Sequence, residues 1–239
     1  MLSAEEVAQP GKEGPLPGGT PNGHELGHLQ VRPNNERPNM RDYNAFRDNA
    51  LAALERVAGD AAIAENAEAA LWCITRTLPS LLGDPEVARR PGALPEGTSP
   101  GSAATVFLVT PDRQFHIVAA PVNFQPEQYH ERIPIALGHP GQVAATRRGV
   151  MLADTSHHQS FVKILQTFRA ASAMQVPVLW KGDYLGVLIC ANASRGAYEE
   201  IDYRACETFA RLAAALWMAH GGPTWLTTID YDRLPVRTA

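Results

Sequence analysis

The sequence predicts an α+β fold: a small antiparallel sheet with a covering segment over one face. Three observations carry that prediction. β-rich runs come in pairs joined by short polar turns, at Pro111-Asp112-Arg113 and at Lys181-Gly182-Asp183. Long helical periodicity is confined to two stretches, before Pro79 and after Ile201. Between Arg132 and His220 the pieces follow one order: strand, short helix, strand, His-rich helix, paired strands, long amphipathic helix. Such a layout builds a pocket for a small molecule.

The elements follow from local chemistry. Residues 1–40 are rich in Gly, Pro, Asn and Glu, with too few apolar side chains to offset ordering entropy; they are expected to be a flexible or docking arm. From Asp42 to Gly59, Phe46, Ala50, Leu51, Leu54 and Val57 recur at helical spacing. Gly59-Asp60 is a candidate break, with Asp60 as the cap of a second helix that ends near Pro79. The stretch 83–101, with four prolines and four glycines, reads as a long loop insertion. Ala104–Thr110 and Gln114–Ala120 form a hairpin. Ile133–Leu137 is a strand, and Pro134 assigns it to a sheet edge because proline cannot donate to a ladder. Gly141–Arg148 makes two helical turns, Val150–Ala153 a short strand, and Asp154-Thr155-Ser156 caps a helix running to Phe168. Ala173–Trp180 and Tyr184–Ala191 form the second hairpin, and Ile201–His220 is the closing helix, ended by Gly221-Gly222-Pro223. The domain is therefore expected over residues 41–222, with a tail at 223–239.

Composition excludes several classes. A net charge of -4 gives no electrostatic case for nucleic acid or an anionic membrane. No apolar run approaches the roughly 18 residues that span a bilayer, and the N-terminus lacks the pattern of a signal peptide. Three cysteines, Cys73, Cys190 and Cys206, sit inside apolar patterns, which suits buried reduced thiols and a cytoplasmic location. Neither a Walker or Rossmann glycine loop nor a spacing suggestive of a Ser-His-Asp triad is present.

The chain resembles the GAF domain family. The resemblance rests on Gly138-His139-Pro140-Gly141-Gln142-Val143-Ala144-Ala145-Thr146 and Val150-Met151-Leu152-Ala153-Asp154. It continues through Ala173–Leu179, Gly182, Leu185-Gly186-Val187-Leu188 and the helix after Asp202. It implies an antiparallel sheet of five or six strands, with the N- and C-terminal helices on one face. On the other face it implies a ligand pocket beneath the segment between the third and fourth core strands. It further implies a small-molecule sensor that pairs through its flanking helices. Because no kinase, cyclase or helix-turn-helix module follows in the sequence, the signal is expected to leave through a homodimer or a separate effector protein. GAF proteins that reduce free methionine sulfoxide use thiols in the pocket loop; here that loop has no cysteine.

Within that frame the ligand-binding candidates are His139, Arg147, Asp154, His157, His158, Phe161, Met174 and Tyr184. Imidazole at 139, 157 and 158 suits an anionic ligand, haem or a metal ion, although adjacent helical histidines diverge by about 100°. Arg147 is either a carboxylate or phosphate clamp or simply a cation at a helix C-terminus. Asp154 is either a pocket acceptor or a cap, and Phe161 and Met174 either a flat apolar wall or plain core. An enzyme holding haem or a metal through these histidines is the alternative to a sensor. His24-Glu25-Leu26-Gly27-His28 spells a zinc-protease string, but Gly27 and the flanking prolines make a poor helix there. Ala210, Ala213 and Ala214 offer a small-residue stripe for close subunit approach, and Trp225, Leu226, Ile229 and Tyr231 in the tail are expected to wrap a neighbouring subunit.

Overall fold

A computed structural model describes residues 41–158 and 162–237, except for the side chain of His157. The arm at 1–40 with His24 and His28, and Phe161, lie outside the described residues. Six strands form one antiparallel sheet: β1 (Ser102–Val109), β2 (Phe115–Val122), β3 (Arg132–Pro134), β4 (Val150–Leu152), β5 (Ser172–Trp180) and β6 (Asp183–Asn192). Their spatial order is β3-β2-β1-β6-β5-β4. Both hairpins and the edge position of Pro134 match the sequence expectation. The β5–β6 turn places Lys181 and Gly182 at positive φ (49° and 88°), the backbone that a two-residue turn between right-twisted strands requires.

Three helices pack on one face. These are α1 (Tyr43–Ala62), α2 (Ala67–Leu81) and α4 (Glu200–Ala219). Their apolar stripes meet the even-numbered side chains Val106 and Leu108 of β1, Met174, Val176 and Val178 of β5, and Leu188 of β6. The expected break at Gly59-Asp60 is absent, and α1 runs through it. One glycine costs a helix about 1 kcal/mol, and burial of Val57 and Ala61 on either side outweighs that. Asn66, not Asp60, caps α2 by accepting from the Ala69 N–H at 2.9 Å. The 83–101 insertion carries a short 3-10 helix, Pro85–Arg89, and buries Val87 and Ala93.

One carboxylate ties these pieces together. Asp202 is fully buried at the start of α4. It accepts from both guanidinium ends of Arg41, at 2.6 and 2.9 Å, and from the backbone N–H of Gly83 and of Glu199, each at 2.9 Å. The approach to α1, the insertion and α4 thus share one acceptor.

Two expectations about association change. Ala210, Ala213 and Ala214 are at most 1% exposed inside the helix–sheet core, so they are not a surface stripe. The C-terminal tail folds on its own domain: α5 (Gly222–Leu226) sets the Trp225 ring edge-on to Trp217 and to His130, with centroids 5.6 Å apart in each case. No described helix is long and apolar enough to cross a membrane.

Candidate functional site

The opposite face of the sheet is covered by α3 (Gly138–Thr146) and by residues 162–171. The latter were expected to continue a helix from Asp154 to Phe168. Among the described residues of that stretch Thr155–His157 is helical, as a single 3-10 turn, and 162–171 is irregular. Asp154 does cap that turn, accepting from the Ser156 N–H at 2.9 Å. Beyond it, Ile164 and Leu165 turn inward to the sheet and are buried. α3 starts earlier than expected, at Gly138, and lies tight against the loop before it: a Cβ on Gly141 would come 2.3 Å from the Ala136 carbonyl carbon.

Between the sheet and this cover lies a cavity of about 50 Å³. Its floor is Phe107, Ala173, Gln175 and Ile189; its walls and roof include Phe124, His139, Ile164 and Leu165. Among the described residues no Asp, Glu, Lys or Arg lines it, and His139 is its one ionisable member. Such a volume takes a few water molecules, whereas metabolite pockets run to roughly 300–1,000 Å³. The aliphatic side chains of the cover fill most of the space that the layout implied.

Gln175 is the unusual member of this lining. It is 4% exposed, and its Oε1 finds no hydrogen-bond partner among the described residues. An unpaired buried amide costs about 1–3 kcal/mol, so its presence on an otherwise apolar floor needs a reason. Sequence reading passed it over in favour of Met174. The two-residue period of the strand decides between them: Gln175 faces the cavity, while Met174 faces the helices and packs in their core. A polar residue on a strand buried on both faces was the signal available in the sequence.

The other candidates distribute as follows. His139 is buried at the cavity wall, and His158 is exposed with its ring edge-on to it, centroids 5.5 Å apart. Arg147 ends α3 in the left-handed conformation and donates to the Gly182 carbonyl at 2.8 Å, which spends it on the β5–β6 turn and not on the cavity. Asp154, besides its cap, pairs with the Arg195 guanidinium at 3.1 Å. Tyr184 is buried in the pocket-face core, where burial raises its hydroxyl pKa. Its hydroxyl meets His116 Nε2 at 2.9 Å. Among the described residues no three His, Cys, Asp or Glu side chains come together as a metal site. Cys190 and Cys206 lie 3.9 Å apart, sulfur to sulfur, in the helix-side core, and Cys73 packs against the same core on α2. None of the three thiols faces the cavity.

His116 was not a candidate, yet it is fully buried on the pocket face. Phe107, Tyr184 and aliphatic neighbours surround it, and its Nδ1 has no partner among the described residues. Burial lowers its pKa from 6.5 to about 3. Because the folded value is the lower one, the unfolded chain takes up a proton first as pH falls. This contribution to stability is complete above about pH 6.5 and is lost toward pH 3, with a slope near 1.4 kcal/mol per pH unit. Urea midpoints measured from pH 7.5 to pH 5 should fall in the wild type and fall less steeply in His116→Phe. Equal slopes would contradict a buried neutral imidazole.

Comparison with known proteins agrees with this architecture. The GAF domain family model matches residues 76–219, and the chain belongs to that family. Among solved structures it is similar to the GAF domain of a phosphoenolpyruvate-protein phosphotransferase from Coxiella burnetii, with 18% identity, 74% of this chain and 97% of that one covered, and a TM-score of 0.60. The corresponding domain from Acinetobacter gives 17% identity, 72% and 94% coverage, and a TM-score of 0.57. A free methionine-R-sulfoxide reductase from Neisseria meningitidis, in complex with its substrate, gives 18%, 77% and 95%, and 0.56. At these identities the likeness is one of fold. No curated protein matches the sequence.

Proposed function

We propose that this chain is a sensory GAF protein whose ligand enters between the sheet and the 162–171 cover. The ligand is a small, uncharged, largely apolar molecule carrying one hydrogen-bond donor. The observation that carries this reading is the buried Gln175 Oε1, which has no partner among the described residues on the floor of the cavity. A donor placed there recovers a hydrogen bond that the ligand-free protein forgoes. The apolar remainder of the lining favours an apolar body. An anion would be stripped of water with no cation in the lining to meet it, a cost of several kcal/mol. Because about 50 Å³ is too small for such a guest, binding must displace Ile164 and Leu165. The cover is thus the part of the chain that differs between free and bound states, and its displacement is the signal.

The signal passes through a homodimer that pairs across the groove between α1 and α4. Support comes from that groove's size, about 770 Å³, and from the apolar Phe46, Ala50, Leu51, Leu54 and Ile201 in its lining, which Arg47, Glu199, Glu200 and Arg204 border. Leu51 is 68% exposed there, an apolar side chain left largely uncovered among the described residues.

Native mass spectrometry of freshly purified protein tests both parts. The expected spectrum is a dimer that retains a small neutral molecule, and Leu51→Glu should shift it to monomer. A monomeric wild type would remove the dimer. Failure of any neutral metabolite to be retained or to rebind would remove the sensor.

A further inference from the structure

We propose that the C-terminal segment Pro235–Arg237 is a latch that holds the cover shut, so that its release opens the cavity; this rests on the reading of that cavity as the ligand site. The segment lies along the free edge of β3 and adds to it. Arg132 N–H donates to the Pro235 carbonyl at 2.8 Å, and Arg237 N–H donates to the Arg132 carbonyl at 2.9 Å, in a parallel bridge between Arg132 and Val236. The edge strand is short and its other side is occupied by β2, so these bonds fix where the Arg237 side chain begins.

From there the guanidinium joins two segments that are distant in sequence. Nη2 donates to the Glu131 carboxylate at 2.8 Å, with both side chains only 13% exposed. Nη1 reaches the carbonyl of Lys163, in the cover, at 3.4 Å. The Glu131 partner is itself well founded. The neighbouring Tyr129 and His130 rings stack 3.9 Å apart, and both contact the buried carboxylate of Glu68 on α2, the Tyr129 hydroxyl at 2.7 Å and His130 Nε2 at 3.1 Å. In the same stretch, the Gln128 amide grips the cover as a strand would. Its Nε2 donates to the Ile164 carbonyl at 2.8 Å, and its Oε1 accepts from the Gln166 N–H at 3.2 Å. The cover residues that fill the cavity, Ile164 and Leu165, therefore sit between Gln128 and Arg237. Opening at Ile164 and Leu165 requires both holds to yield, while Thr167 on the Asn123 carbonyl and Thr155 on the Ala170 carbonyl anchor the rest of the cover. Gln128 is a neutral clip, whereas Arg237 is a charged one carried by a segment bridged only to the sheet edge at Arg132, the member that a binding event on that segment can withdraw.

Hydrogen exchange followed by mass spectrometry tests the latch without any ligand. Arg237→Ala and a chain ending at Leu234 should each speed exchange in peptides covering 162–171 by about tenfold, the scale of a lost charge-assisted hydrogen bond. Exchange in β1 and β6 should stay unchanged. Gln128→Ala should speed the same cover peptides and shows that they can report opening. If Gln128→Ala does so while Arg237→Ala leaves 162–171 protected, the latch is overturned. Should the shortened chain lose protection in β1 and β6 as well, Arg237→Ala alone decides. Because the readout is ligand-free, a latch that fails here and a cavity that binds nothing are separate outcomes.

Discussion

Asp202→Ala is expected to cost roughly 3–5 kcal/mol, a large share of the 5–15 kcal/mol that holds a typical domain together. The magnitude follows from what the carboxylate faces. Arg41 is largely buried against it, 11% exposed, and its guanidinium stacks over the Phe46 ring at 4.3 Å. Removing the anion leaves that cation without its partner. It also strips an acceptor from the Gly83 and Glu199 N–H groups. Neither Glu86–Arg89 nor Arg204–Glu200, both largely exposed pairs, should approach this value when broken. Urea unfolding at neutral pH measures the difference. A loss below about 1 kcal/mol, the scale of an exposed pair, would mean that Asp202 is not the shared acceptor of α1, the insertion and α4.

Gln175→Met is expected to act in two directions. It replaces a buried amide whose Oε1 has no partner among the described residues by an apolar chain of similar length, so the ligand-free protein should gain about 1–3 kcal/mol. For a domain of this size the melting temperature should rise on the order of 5 °C. The same change removes the acceptor offered to the ligand, so affinity should fall at least tenfold, the value of one hydrogen bond to an otherwise unpaired group. Gain of stability with loss of binding is the mark of a residue kept for function at the expense of the fold. A residue serving only as core would show the reverse in the first measurement and nothing in the second.

Much of the architecture was legible because local and global signals agree along this chain. The two hairpins, the edge assignment of Pro134 and the closing helix all follow from short-range chemistry. The errors fall where tertiary packing overrides it. Gly59-Asp60 is a candidate break by local chemistry, but the neighbours Val57 and Ala61 are buried and the helix continues. The stretch after Asp154 has a good cap and apolar residues at helical spacing, yet Ile164 and Leu165 are drawn inward to the sheet, and Gln128 and Thr155 bind its backbone instead, with the Thr155 hydroxyl donating to the Ala170 carbonyl at 2.7 Å.

The site was harder to read than the fold. Histidines and arginines attract attention in a sequence, but Arg147 and Asp154 prove to be engaged at turns. The cavity's polar members are His139, a candidate from the sequence, and Gln175, which was not one, among aliphatic and aromatic side chains. Strand parity, which separates Gln175 from Met174, depends on a register fixed by pairing with β6 and β4 and not visible before the sheet is assembled. His116 was missed for a similar reason: whether a histidine on a strand is buried depends on what covers that face.

On the proposed function, the cavity over Gln175 opens to accept a neutral donor-bearing molecule. The most direct measurement is a thermal-shift screen of uncharged metabolites against the wild type and Gln175→Met in parallel. At least one compound should raise the wild-type melting temperature in a concentration-dependent way, since a ligand that binds only the native state must stabilise it, and the variant should need about ten times more of the same compound, or more, for an equal shift. If every compound that stabilises the wild type stabilises Gln175→Met equally, or if only anions stabilise either, the cavity is not the site.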